Sequence, residues 1–127
     1  MNFFVKKDDV IEVKVWAWES DGNLSASADK SDVPKSLTAE NVHELKFWFK
    51  KPSYSDSKII AQRSQIMTDE AQVDTTNLLD AVLATLLSDW NLQRDNEKVE
   101  VSMAAINDLD PALTRAAVAG ALQKIKL

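Results

Sequence analysis

Val10-Ile11-Glu12-Val13-Lys14-Val15-Trp16-Ala17-Trp18 alternates between two kinds of residue. Ile11, Val13, Val15 and Ala17 fall on one side, and Glu12, Lys14, Trp16 and Trp18 on the other. A period of two in β-branched and aromatic residues is the signature of a strand with one face turned to a core. The pattern returns in His43-Glu44-Leu45-Lys46-Phe47-Trp48-Phe49-Lys50, where Leu45, Phe47 and Phe49 oppose Glu44, Lys46, Trp48 and Lys50. Lys51-Pro52 then ends the strand, because proline cannot donate to a ladder.

Between the two strands, residues 19–41 are rich in Ser, Asp, Ala, Lys and Asn around Gly22 and Pro34. This composition predicts a long polar loop. Its length exceeds an ordinary connection, which marks it as a loop held against something or one with a function of its own.

After Pro52 the period changes from two to that of a helix. Ser53 or Ser55 can cap a helix carrying Ile59, Ile60, Ile66 and Met67. Thr75 or Thr76 can cap a second over residues 75–90, with Leu78, Leu79, Val82, Leu83, Leu86, Leu87 and Trp90 at helical spacing. Residues 91–98 read as a polar turn, 99–101 as a short strand and 102–107 as one helical turn. Asp110-Pro111 starts a last helix, a capping side chain followed by proline at the first helical position. Leu113, Ala117, Ala121 and Ile125 lie four apart along it, with Val118 and Leu122 beside them. Strands first and helices afterwards predict an α+β fold, a small antiparallel β-sheet packed against about three α-helices. The whole chain, 1–127, reads as a single domain.

The 127 residues are 45% hydrophobic, enough for a core without a disulfide or metal staple. With no cysteine, thiolate metal sites and thiol nucleophiles are excluded, and a reducing cytosol is the expected setting. No run approaches a membrane span, and the short apolar start is not a signal peptide. Net charge is −5. Residues 1–66 hold ten Lys/Arg and ten Asp/Glu, and residues 67–127 five and ten, so the acidity belongs to the C-terminal half. An acidic chain lacks the counterion-release drive of a nucleic-acid binder.

Catalytic signals are weak. A triad needs a nucleophile, a base and an orienting group, and the one histidine, His43, starts a strand, where a structural role is expected. Two glycines in all leave no phosphate-cradling loop. Asp108 and Asp110 are the closest approach to a metal pair, yet Asp110 has a simpler use as a helix cap and the calcium-loop spacing is missing. The residues imply no enzyme, no cofactor and no metal.

The tryptophans are more informative. Trp16, Trp18 and Trp48 share the nominal outer strand face with Lys14, Lys46 and Lys50. One reading has the long loop covering these rings. The other has an exposed aromatic-basic surface, with Trp16, Trp18, Trp48, Lys46 and Lys50 docking a partner. A tryptophan platform for sugars is a third. Small residues on the last helix (Ala112, Ala116, Ala117, Ala119, Gly120 and Ala121) suit close internal packing or self-association.

From about residue 45 the order of features resembles the small tail-assembly chaperones and baseplate-hub assembly proteins of tailed bacteriophages. The elements are the β segment running into Lys50-Lys51-Pro52-Ser53-Tyr54-Ser55-Asp56, and a leucine-rich helix ending in Leu87-Ser88-Asp89-Trp90-Asn91-Leu92. The charged turn Gln93-Arg94-Asp95-Asn96-Glu97-Lys98 follows, and then Ile106-Asn107-Asp108-Leu109-Asp110-Pro111-Ala112-Leu113. The resemblance implies a non-enzymatic, cofactor-free role in tail or baseplate assembly, with other tail proteins as partners. It also implies a host-cytoplasmic assembly stage or a place in the virion tail. Two rival expectations are a structural protein of the tail or head-tail junction, and a small acidic phage protein that binds and inhibits a host factor.

Overall fold

The computed structural model describes residues 3–66, 72–73 and 75–125. The fold is α+β: an antiparallel sheet from the N-terminal half, joined by one short strand from the C-terminal half, carries helices on one face. Strand β1 is Val10–Ser20, β2 Asn23–Ser27 and β3 Val42–Lys50. Helix α1 is Tyr54–Ser64, followed by the two-residue strands β4, Gln65–Ile66, and β5, Gln72–Val73. Then come α2, Thr75–Leu86, and β6, Leu87–Trp90. The two-residue strands β7, Gln93–Arg94, and β8, Glu97–Lys98, precede α3, Met103–Asn107, and α4, Pro111–Lys124. The main sheet has the order β2-β1-β3-β6, antiparallel throughout.

Both predicted strands form, and they pair with each other from Val10 opposite Lys50 to Trp18 opposite Val42. Val13, Val15, Ala17, Phe47 and Phe49 are buried beneath the helices, as the alternation requires. Ile11 and Leu45 pack at the margin of the same core. Helix α1 is capped reciprocally: the Asp56 N–H donates to Ser53 Oγ (3.2 Å) and the Ser53 N–H to Asp56 Oδ2 (3.1 Å). Ile60 of that helix is buried and Ile59 exposed; the helix stops at Ser64, so Ile66, expected on it, falls in β4 instead, and Met67 lies outside the described residues. Asp110 caps α4 through the Ala112 N–H (2.9 Å), with Pro111 at the first helical position. Leu113, Ala117, Val118, Ala121 and Ile125 of the last helix are buried, with Leu122 packed against them.

Three further expectations are corrected. Residues 19–41 are not one loop: β1 continues to Ser20, and Asp21-Gly22 turns the chain back into β2. Both turn residues have positive φ (51° and 79°), the backbone that lets a two-residue hairpin follow the sheet's twist. The helix expected over 75–90 stops at Leu86, and Leu87–Trp90 becomes the edge strand β6 beside β3. Extended backbone there satisfies the far side of β3, and the Ser88 Oγ–H donates to the Trp48 carbonyl (3.2 Å) across the bulge. Trp90 still faces the core. Its ring meets Phe47 edge-on at 6.3 Å, and its indole N–H donates to the Val99 carbonyl (2.6 Å). Lastly, residues 99–101 are not a strand. The pairing falls earlier, between β7 and β8, around Asp95-Asn96, again with both φ positive.

Of the small residues of α4, Ala116, Ala117, Gly120 and Ala121 are buried inside the fold, Ala112 is half-buried and Ala119 is exposed. A methyl group at Gly120 would sit 2.5 Å from Val13 Cγ1 and 2.9 Å from Ala28 Cβ, so the helix lies against β1 as closely as a missing side chain permits.

Candidate interaction surface

The outer face of the sheet is built from the polar half of each alternation. The pairing places Trp18 opposite Ser25 and Val42, and Trp16 opposite Ser27 and Glu44. Lys14 lies opposite Lys46, and Trp48 between Glu12 and Asp89. Residues 28–41 cross one end of this face. Two single turns of 3-10 helix, Lys30–Asp32 and Ala39–Asn41, give this segment its shape.

Short polar contacts hold the crossing segment to the end of β2. The Ser27 hydroxyl donates to Asp32 Oδ2 (2.6 Å) and accepts from the Asp29 N–H (3.0 Å). Asp29 Oδ1 accepts from the Ser31 hydroxyl (2.7 Å) and the Ser31 N–H (2.9 Å). These bonds hold the Asp29 carboxyl below its ordinary value, the hydroxyl contributing most. At the far end, Asn41 Nδ2 donates to Thr38 Oγ1 (2.9 Å).

The five residues expected to bind a partner are therefore divided. Trp18 is 8% exposed and stands apart from the main core, sharing a cavity wall with Leu37, Glu40 and Asn41 of the crossing segment. Its burial agrees with the covered reading. Trp16 is half-buried and forms the floor of an open cleft of about 460 Å³. Val33, Pro34, Leu37 and Val42 form its apolar wall, and Lys30, Lys35 and Glu44 its rim. Trp48 and Lys46 lie farther along the sheet, both half-buried on the uncovered part of the face. Lys50 is at the corner, 3.9 Å from Asp56.

Charge on this face is not balanced locally. Lys14 and Lys46 are direct cross-strand neighbours, an arrangement that costs stability unless something offsets it. Lys14 has an offset in Glu44 at 3.6 Å. Asp89 is taken by Lys98 (3.1 Å), whose hydrogen bond, with that of the Trp90 N–H, holds the carboxyl below its ordinary value. No ion pair to Lys30, Lys35 or Lys46 is present among the described residues. Two uncompensated ammonium groups, Lys30 and Lys35, thus border an apolar, aromatic cleft on a chain whose net charge is −5, and Lys46 lies farther along the same face.

Val33, Pro34, Leu37, Lys30 and Lys35 were not among the expected site residues. Their signal was present in the sequence: Val33 and Leu37 are large apolar side chains in an otherwise polar stretch. The metal candidates have other partners. Asp110 caps α4, and Asp108 faces Arg94 at 3.6 Å. Among the described residues no group of three or more His, Asp or Glu is placed to hold a metal ion, and His43 is exposed at the start of β3. No described helix is long and apolar enough to cross a membrane. No family model, curated protein or solved structure matches this chain.

Proposed function

We propose that this chain is a non-enzymatic protein-binding module that docks its partner on the outer face of the sheet. The cleft over Trp16, with Lys30 and Lys35 at its rim and Trp48 and Lys46 beyond, carries this reading. Buried tryptophan contacts dominate binding energies, and an uncompensated cation beside one favours an acidic partner. The partner segment that fits offers a large apolar side chain to the cleft and carboxylates to the lysines. For the setting we propose phage tail or baseplate assembly, as a chaperone or hub component. The support is the sequence order described above: the step from β3 through Pro52-Ser53 into α1, the leucine-rich α2, the charged β7–β8 turn and the Asp110-Pro111 start of α4.

Photo-crosslinking side chains at positions 35, 48 and 84 test the docking face. Ala84 is exposed on α2, on the opposite side of the sheet. Positions 35 and 48 should label one and the same protein, and position 84 none. Equal labelling from all three would reject the outer face. Truncating Trp48 to Ala should weaken capture by about 2 kcal/mol or more while the fold survives. The identity of the labelled protein tests the setting: a tail or baseplate protein supports it, and a host factor favours the inhibitor reading.

A further inference from the structure

Strand β1 has eleven residues, but β2 covers only part of one side of it. Pairing with β2 runs from Trp16 opposite Ser27 to Ser20 opposite Asn23. The other side is paired with β3 from Val10 onward. The first half of β1, Val10–Val15, therefore has no strand paired on its β2 side among the described residues.

The direction of its backbone groups follows from the hairpin. Ser20 and Asn23 flank a two-residue turn, so they form the hydrogen-bonded pair that closes it. By alternation Trp18, Trp16, Lys14 and Glu12 turn their N–H and C=O groups to the same side. Glu12 shows this directly, since its carbonyl accepts from Lys124 Nζ at 2.7 Å. Lys14 has the same orientation and no strand beside it. The space next to it is a groove of about 240 Å³, bounded by Ala28 and by Gly120, Gln123 and Lys124 of α4.

We infer that this edge pairs with the same edge of a second copy, antiparallel, with Val13 opposite Val13 across a two-fold axis. The sequence selects both partner and register. Only residues whose backbone groups face the edge can exchange hydrogen bonds, so Glu12 and Lys14 must oppose Glu12 and Lys14 of the second copy. With Val13 on the axis, Glu12 faces Lys14 of the second copy twice over, and Ile11 faces Val15. A shift one way puts Glu12 against Glu12, and the other puts Lys14 against Lys14, both repulsive. A closed two-fold pair leaves no free β1 edge to propagate. The contact is short, because Ser27 already occupies the place beside Trp16, so the dimer is weak and concentration-dependent. Lys124 is the lone side chain bonded across the edge among the described residues, and its flexible stem allows it to swing aside.

Sedimentation velocity of the full chain over a wide concentration range tests this. The wild type should pass from monomer to dimer as concentration rises. Lys14→Glu and Glu12→Lys should each shift the midpoint at least about tenfold upward, since each replaces two attractive cross-strand pairs with two repulsive ones. Mixing the two variants should restore the dimer as a heterodimer. Circular dichroism checks that each variant is folded, because Lys14→Glu also places a carboxylate beside Glu44. A wild type that stays monomeric, variants that dimerise as before, or folded variants that do not rescue each other would overturn the proposal. None of these results bears on crosslinking from positions 35 and 48, so the two readings stand or fall separately.

Discussion

The two faces of this sheet come from the same two alternating segments, yet they solve different problems. On the inner face Val13, Val15, Phe47 and Phe49 meet α1, α2 and α4 and are closed off almost completely. On the outer face Trp18 is closed off by a short segment with two 3-10 turns, Trp16 is half covered, and Trp48 and Lys46 are left partly open. Alternation says that a strand has two faces. What lies on the second one depends on the chain between the strands. Here that chain is pinned by serine and aspartate side chains instead of by a continuous apolar stripe.

The contrast can be tested by truncation. Trp90→Ala should be the most damaging change, at about 3–5 kcal/mol in denaturant unfolding, because it removes a fully buried ring and the indole hydrogen bond to Val99. Trp18→Ala should cost less, about 2–3 kcal/mol, because the covering segment can settle into part of the space. If the Trp18 change cost as much as the Trp90 change, the outer cover would have to be counted as a second core. Gly120→Ala should cost about 2 kcal/mol, because the added methyl meets Val13 and Ala28 at less than contact distance. A neutral result would mean that α4 can move away from β1 freely.

Acid should discriminate between the faces with the smallest effect. Asp29 and Asp89 both have carboxyls held below the ordinary value of 3.8 and both belong to the outer side. A depressed carboxyl contributes stability above its unfolded value and loses it as pH falls through the lower folded value. Thermal stability should therefore decline below about pH 4, and Asp29→Asn should soften that decline, because the variant has no carboxylate there to protonate. An unchanged acid profile in the variant would show that Asp29 does not anchor the crossing segment.

Much of the inner face was legible in the sequence because period two in Val, Ile and Phe has one physical meaning there. Ser53 and Asp110-Pro111 were legible for a similar reason, since a cap is a local arrangement. The β1–β2 hairpin was missed although Asp21-Gly22 is a strong two-residue turn signal, because Asn23–Ser27 is too small and polar to look like a strand. The end of α2 was misplaced because Leu87 and Trp90 fit a helical stripe as well as a strand. Only the unpaired side of β3 decides between them, and that is tertiary information. The division of the tryptophans was not legible at all, because it depends on which ring the 28–41 segment crosses.

The bulged edge strand also shapes how the molecule reaches its native state. The β1–β2 hairpin closes over a two-residue turn and needs only local search, on the order of microseconds. Strand β6, by contrast, joins β3 from forty residues away, as the Ser88–Trp48 bond shows. Loop-closure entropy must be met before that pairing returns any stabilisation. Trp90 enters the core on this strand, so its fluorescence follows the late, long-range step of folding, whereas Trp18 follows the closing of the nearer 28–41 segment.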